Sequence, residues 1–219
     1  MDSKTAKQII AKRIAKELKD GDVVNLGIGI PTLVADYVNP DVNIIFHSEN
    51  GFVGLGPSPQ PGKEHKDIVN ASGQLASIQK GAAFFDSALS FGIIRGGHVD
   101  VTVLGALEVD EKGNLANYII PGKLVPGMGG AMDLVTGAKK VIIAMLHTAN
   151  GAPKILKECS LPLTGKGKVD LIVTDMAVIE VTPNGLLLKE MAPGVSLKDI
   201  LEKTKADLMI SEELNATVV

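Results

Sequence analysis

Apolar residues at Ile9, Ile10, Ile14 and Leu18 recur with helical spacing, and Asp20-Gly21 ends that pattern. Val23-Val24-Asn25-Leu26 then reads as a strand, Leu33, Val34, Tyr37 and Val38 as a short helix, and Ile44-Ile45-Phe46 as a second strand. Helix and strand thus alternate, as they do in an α/β sheet. Further on, Ile68 to Ala71 suggests a short strand, Asp86 to Arg95 a helix closed by Gly96-Gly97, and Val99 to Leu104 a β-branched strand. Glu108 to Asn114 predicts a tight hairpin leading into Ala116-Asn117-Tyr118-Ile119-Ile120. Val141 to Met145 and Leu171 to Thr174 read as buried strands, and Val178 to Val181 should pair with Leu186 to Leu188 across Pro183-Asn184-Gly185. Ser196 is the expected N-cap of a last helix, with Asp199 in its first turn.

Two stretches break the pattern. Pro57 to Gly62, followed by Lys63-Glu64-His65-Lys66-Asp67, predicts a solvated loop. Pro121 to Gly130 carries too many Gly and Pro residues for regular structure and opens into a helix at Ala131. There is no internal repeat and no linker, so residues 1–219 are expected to form a single domain.

Composition narrows the function classes. A chain of 219 residues with 45% hydrophobic content can bury one core. A net charge of -3 and a pI near 5.8, with Lys and Arg scattered, leave no electrostatic case for nucleic acid or an anionic membrane as partner. The start of the chain is a lysine-studded amphipathic pattern instead of a signal core, and no apolar run reaches membrane-spanning length, so a cytoplasmic protein is expected. Cys159 is the only cysteine and reads as a buried small residue; His47, His65, His98 and His147 lack ligand spacing, so no metal site is expected.

The candidate chemistry lies in Phe46-His47-Ser48-Glu49-Asn50-Gly51-Phe52-Val53-Gly54, where Glu49 follows an apolar strand and Asn50-Gly51 signals a turn. That places one carboxylate at the rim of a sheet, where open α/β sheets keep their sites. A glutamate is ionised at neutral pH and can attack an activated acyl group such as a thioester without a separate base. The resulting anhydride hydrolyses in water, so a dry pocket is required. Gly129 and Gly130 can supply backbone N–H groups to the developing oxyanion, ahead of the helix that begins near Ala131. The plainer readings stand beside these: a glutamate at such a junction also occurs as a surface charge, and a glycine loop as a mere turn. Gly27-Ile28-Gly29 is half a dinucleotide fingerprint, but Pro31 follows it and no acidic residue ends a second strand at the expected distance. His47 shares the face of Glu49 only if its strand stays regular, and Asp133 reads as a helix-stabilising charge.

The Phe46–Gly54 segment resembles the catalytic signature of the family I CoA-transferases, and the chain looks like their B (β) subunit, of the 3-oxoacid or acetate/butyrate–acetoacetate type. Ile94–Asp100, Gly113–Asn117, Ile120–Lys123, Gly127–Val135 and Leu161–Gly165 resemble further blocks of that family, in order, and the likeness fades only over the last dozen residues. The resemblance implies an open, largely parallel α/β sheet flanked by helices, similar to CoA-transferases and sugar-phosphate isomerases. It implies a separate A (α) subunit in an assembly such as α2β2, coenzyme A as substrate and no prosthetic group. It also implies a ping-pong transfer of CoA through a Glu49–CoA thioester, with Gly130 as oxyanion donor and Asn50, Gly51 and Gly129 as the candidate substrate- or CoA-contacting residues. Two rivals remain open at this point: an acyl-CoA-binding subunit without catalysis, and a sugar-phosphate isomerase.

Overall fold

Asp2 caps helix α1 (Ser3–Ala15), its side chain accepting from the Lys4 and Thr5 amides. The computed structural model describes residues 2–123 and 127–214, so Leu124, Val125 and Pro126 of the glycine-rich segment lie outside the described residues. Strand β1 (Val23–Leu26) leads into a 3₁₀ helix (Ile30–Tyr37) and strand β2 (Ile45–Ser48). Two strands that the apolar pattern did not announce follow, β3 (Phe52–Leu55) and β4 (Ile78–Phe84). Next come helix α2 (Ser87–Arg95), β5 (Val101–Leu104), β6 (Glu108–Asp110), β7 (Leu115–Ala116), helix α3 (Ala131–Gly137) and β8 (Lys140–Ala144). Short strands β9 (Thr148–Ala149), β10 (Ala152–Pro153) and β11 (Ile155–Leu156) precede β12 (Leu171–Val173), β13 (Ala177–Thr182), β14 (Gly185–Met191), helix α4 (Leu197–Glu202) and β15 (Leu208–Ile210).

Among the described residues the main sheet has ten strands in the order β15-β14-β13-β12-β8-β5-β1-β2-β3-β4. Its centre, β12-β8-β5-β1-β2, is all parallel, so the carboxyl ends of these strands share one edge. Antiparallel strands flank it on both sides: β3 and β4 beyond β2, and β13 and β14 beyond β12.

Successive residues of the central strands serve two separate cores, as the two-residue period requires. Val24, Phe46, Val101, Val103 and Ile142 join Ile10 and Ile14 of α1 on one face. Val141 and Ile143 join Ile94 of α2 and Leu134 of α3 on the other.

Local expectations are met where turn and cap chemistry decide. Asp86 caps α2 through the Leu89 amide, Ser196 and Asp199 form a reciprocal capping box on α4, and β13 pairs with β14 across Pro183-Asn184-Gly185. Over Ile68 to Ala71 the structure differs. Only an isolated bridge, Val69 to Leu75, forms there, because the Asn70 carboxamide oxygen takes the Ser72 and Gln74 amides into a turn. Cys159 is half-buried, its Sγ 3.6 Å from the Asn114 carbonyl, and burial pushes its thiol up to about 12.

Candidate active site

Strand β2 ends at Ser48, and Glu49-Asn50-Gly51 turns the chain back into β3 at the edge shared by the parallel carboxyl ends. The turn is fixed from several directions. Gly51 has φ 133, and a Cβ there would stand 2.3 Å from the Phe85 carbonyl oxygen, so only glycine allows this approach. The Asn50 amide group donates to the Val69 carbonyl at 2.8 Å, and its oxygen accepts from the Ser48 hydroxyl at 2.7 Å. The Ser48 hydroxyl oxygen in turn accepts from the Ala71 amide. The Asn50 side chain is therefore engaged in tying the turn to the 69–71 segment.

Glu49 itself is half-buried and accepts from Asn25 Nδ2 at 3.0 Å through Oε2. The same Asn25 amide group lies 3.2 Å from His47 Nδ1 and donates to the His47 carbonyl at 3.2 Å. His47 Nε2 stands 3.0 Å from Ser90 Oγ, and the Ser90 hydroxyl donates to the Glu49 carbonyl at 2.8 Å. Since the one Ser90 hydrogen is used on Glu49, His47 Nε2 carries a proton and donates to Ser90. Its Nδ1 then accepts from Asn25. Burial lowers the His47 pKa to about 4, which keeps this neutral tautomer at physiological pH. The ring thus links α2 to the strand that carries Glu49.

The residues Asn25 and Ser90 were not singled out in the sequence. A polar residue inside Val-Val-Asn-Leu was the available signal, because a buried carboxamide is costly without partners. Ser90 offered only its place on the inner face of α2.

Across Glu49 lies the glycine loop. A Cβ on Gly130 would sit 3.3 Å from Glu49 Cγ and 3.4 Å from Phe91 Cζ, so the Gly130 backbone directly faces the carboxylate-bearing side chain. Gly129 has φ 50 and no heavy atom within 4 Å of its would-be Cβ. The pair is held by the joint between α2 and α3. Asp133 accepts from Arg95 Nε at 2.7 Å, and Gly137 is needed where a Cβ would meet the Ile94 carbonyl at 2.2 Å. Asp133 is therefore a helix-joining charge at this site's rim.

A cavity of about 390 Å³ opens beside Glu49. Leu26, Leu33, Leu55 and Leu75 line it together with the polar Thr32, Asp36, Ser48 and Gln74, while Gly27 packs closely on β5, where a Cβ would meet the Val103 carbonyl oxygen at 3.0 Å. This volume falls in the range of small-molecule sites, roughly 300–1,000 Å³. Among the described residues no helix is long and apolar enough to cross a membrane.

Glu49 thus stands at the carboxyl edge of an open α/β sheet, backed by a buried amide and faced by a glycine loop. Residues 7–203 match the Coenzyme A transferase family, and the chain belongs to it. It is 57% identical to the beta chain of the acetate CoA-transferase of Haemophilus influenzae, over 95% of this chain and 93% of that one. It is 53% identical to the B chain of the succinyl-CoA:3-ketoacid coenzyme A transferase of Helicobacter pylori, over 93% and 99% of the two chains. These likenesses make it a CoA-transferase subunit of the B type. Among solved structures, an acyl-CoA transferase from Escherichia coli O157:H7 is 27% identical with a TM-score of 0.76, and this chain spans 95% of its own length and 42% of that one. The decarboxylase AibA/AibB shares the fold at a TM-score of 0.68 and 22% identity.

Proposed function

We propose that this chain is the catalytic B (β) subunit of a CoA-transferase that moves CoA between a short-chain acyl-CoA and a carboxylic acid such as acetoacetate, with Glu49 as the covalent nucleophile. The observation that carries the reading is the placement of Glu49. Its carboxylate is at the sheet rim, held by Asn25, faced by Gly130 and beside a cavity whose lining mixes apolar and polar side chains. Glu49 attacks the thioester carbonyl carbon, the C–S bond breaks, and CoA leaves as the thiolate. The product is a mixed anhydride between Glu49 and the acyl group. The thiolate then attacks the Glu49 carbonyl, releasing the donor acid and leaving a Glu49–CoA thioester. An acceptor carboxylate runs the same two steps in reverse, so the thioester energy is conserved and no nucleotide is consumed. The relative from Escherichia coli O157:H7 has been solved as a thioester complex with CoA, which supports this course.

Gly130 supplies a backbone N–H to the oxyanion, with Gly129 beside it, and removing one such donor costs about 2.7–4 kcal/mol of barrier. Asn50 and Gly51 hold the turn that presents Glu49 at the substrate and CoA. The anhydride must be kept from water, and the leucines of the cavity together with the docked partner subunit would serve that end. Residues 1–219 act as one domain, and an A (α) subunit in an α2β2 assembly completes the site; the names of the relatives, each one of paired chains, support a partner chain. The assembly works in the cytoplasm, with coenzyme A as substrate and no prosthetic group.

The test is to combine the chain with its α subunit and acetoacetyl-CoA and map adducts by mass spectrometry. A CoA thioester on Glu49 is expected, and Glu49→Ala should abolish exchange. Tight acyl-CoA binding without turnover in the complete complex would establish the non-catalytic alternative instead.

A further inference from the structure

Asn25 Oδ1 and Thr102 Oγ1 are buried oxygens without a hydrogen-bond partner among the described residues; Ser211 Oγ, just past β15 at the far edge of the sheet, is the third. The first two are not far apart in the fold. Asn25 of β1 and Thr102 of β5 are register partners in a parallel ladder, and His47 of β2 is the partner of Asn25 on its other side. Register partners share a face, so His47, Asn25 and Thr102 form one polar row across three strands on the side of α2 and α3. Their neighbours Phe46, Val24, Val101 and Val103 point into the opposite core. Neither Asn25 nor Thr102 has exposed surface. A carboxamide oxygen and a hydroxyl buried on paired positions of adjacent strands are complementary, since the hydroxyl can donate and the oxygen can only accept.

We propose that Thr102 is a positioning residue: its hydroxyl donates to Asn25 Oδ1 through one enclosed water, and so fixes which way the Asn25 carboxamide faces. The proposal rests on the reading of Glu49 as nucleophile. Glu49 Oε2, His47 Nδ1 and the His47 carbonyl all require the N–H side of that carboxamide. While Glu49 is a carboxylate, its charge holds the amide in this sense. Once Glu49 carries an acyl group or CoA, that charge is gone and its remaining oxygen is a weaker acceptor. The link to Thr102 then keeps the N–H groups turned toward the reacting carbon.

The experiment uses the complete complex with its α subunit, acetoacetyl-CoA as donor and acetate as acceptor. It reads kcat, KM, thermal unfolding and the rate of Glu49–CoA thioester formation by rapid quench and mass. Thr102→Val keeps the side-chain shape without the hydroxyl, Thr102→Ala is a second hydroxyl-free variant, and Thr102→Ser retains the hydroxyl. The hydroxyl-free variants should lower kcat and thioester formation about tenfold with KM changed less than about twofold, and Thr102→Ser should recover most of the loss. In an Asn25→Ala background Thr102→Val should have no further effect. A hydroxyl with no partner behaves in the opposite way: Thr102→Val would raise the melting temperature and leave kcat unchanged, which overturns the proposal. A kcat loss that Thr102→Ser does not recover, or that persists in the Asn25→Ala background, overturns it as well. The wild-type arm reads the nucleophile separately, since an assembled wild-type complex that forms no Glu49 adduct removes the functional reading itself.

Discussion

Asn25 donates to Glu49 Oε2 across 3.0 Å from a position with no exposed surface. A hydrogen bond to a charged group is worth about 1.5–3 kcal/mol, more than an exposed ion pair contributes. Asn25→Ala should therefore lower kcat by roughly 10–100-fold, with the acyl-CoA KM far less affected, because the amide fixes the nucleophile and not the CoA. Asn25→Asp should be worse still, since it sets a second carboxylate against Glu49. Steady-state kinetics of the assembled complex check both.

Gly130 and Gly129 are neighbours with different constraints. Gly130→Ala would press a methyl group to 3.3 Å from Glu49 Cγ and 3.4 Å from Phe91 Cζ, while its φ of -83 suits any residue. The backbone stays unstrained and the carboxylate is displaced, so activity should fall at least about tenfold with little change in melting temperature. Gly129→Ala meets no atom within 4 Å but must hold φ 50, which costs about 1–2 kcal/mol of stability. Thermal unfolding and kinetics measured together separate the two effects.

How much of this could be read along the chain depended on what each segment buries. β1, β5, β8 and β12 were legible because strands covered on both faces show as continuous apolar runs. β4 was not, since Gln79, Lys80 and Gly81 lie exposed on the last strand of the sheet and leave no alternation to detect. β15 is short and half-buried, with the same result. At the site, Glu49 stood out because a turn signal follows it directly. The polar row did not, because Asn25 and Thr102 sit inside apolar strands and their meaning lies in cross-strand register, which periodicity along one strand does not encode.

Gly51 carries the steric cost of presenting Glu49. Gly51→Ala combines φ 133 with a Cβ 2.3 Å from the Phe85 carbonyl, and that atom is backbone and cannot swing aside. The turn must open and lose the Phe85 amide bond to the Gly51 carbonyl, 2.9 Å in the native fold. We expect a loss of about 3 kcal/mol in denaturant unfolding, from strain and overpacking together. Activity should fall with it, because Glu49 is two residues away on the same turn.

Acid should weaken this protein well above the range in which ordinary carboxylates protonate. Burial lowers both His47 and His147 from 6.5 to about 4; for His147, Lys203 adds to the lowering and Asp175 opposes it. In the unfolded chain these rings bind protons below about pH 6.5, whereas in the folded chain they stay neutral until about pH 4. Between those limits the unfolded state holds more protons, so stability is full above pH 6.5 and is lost as pH falls toward 4. Each ring contributes a slope of up to about 1.4 kcal/mol per pH unit in that window. His147 lies between the Thr174 and Thr204 hydroxyls, 2.9 Å from each, away from Glu49, so His147→Gln isolates one contribution without touching the nucleophile. Denaturant unfolding of wild type and His147→Gln from pH 7 to pH 4 should show a shallower slope in the variant, whatever its absolute stability; equal slopes would mean that His147 takes up its proton over the same pH range folded and unfolded.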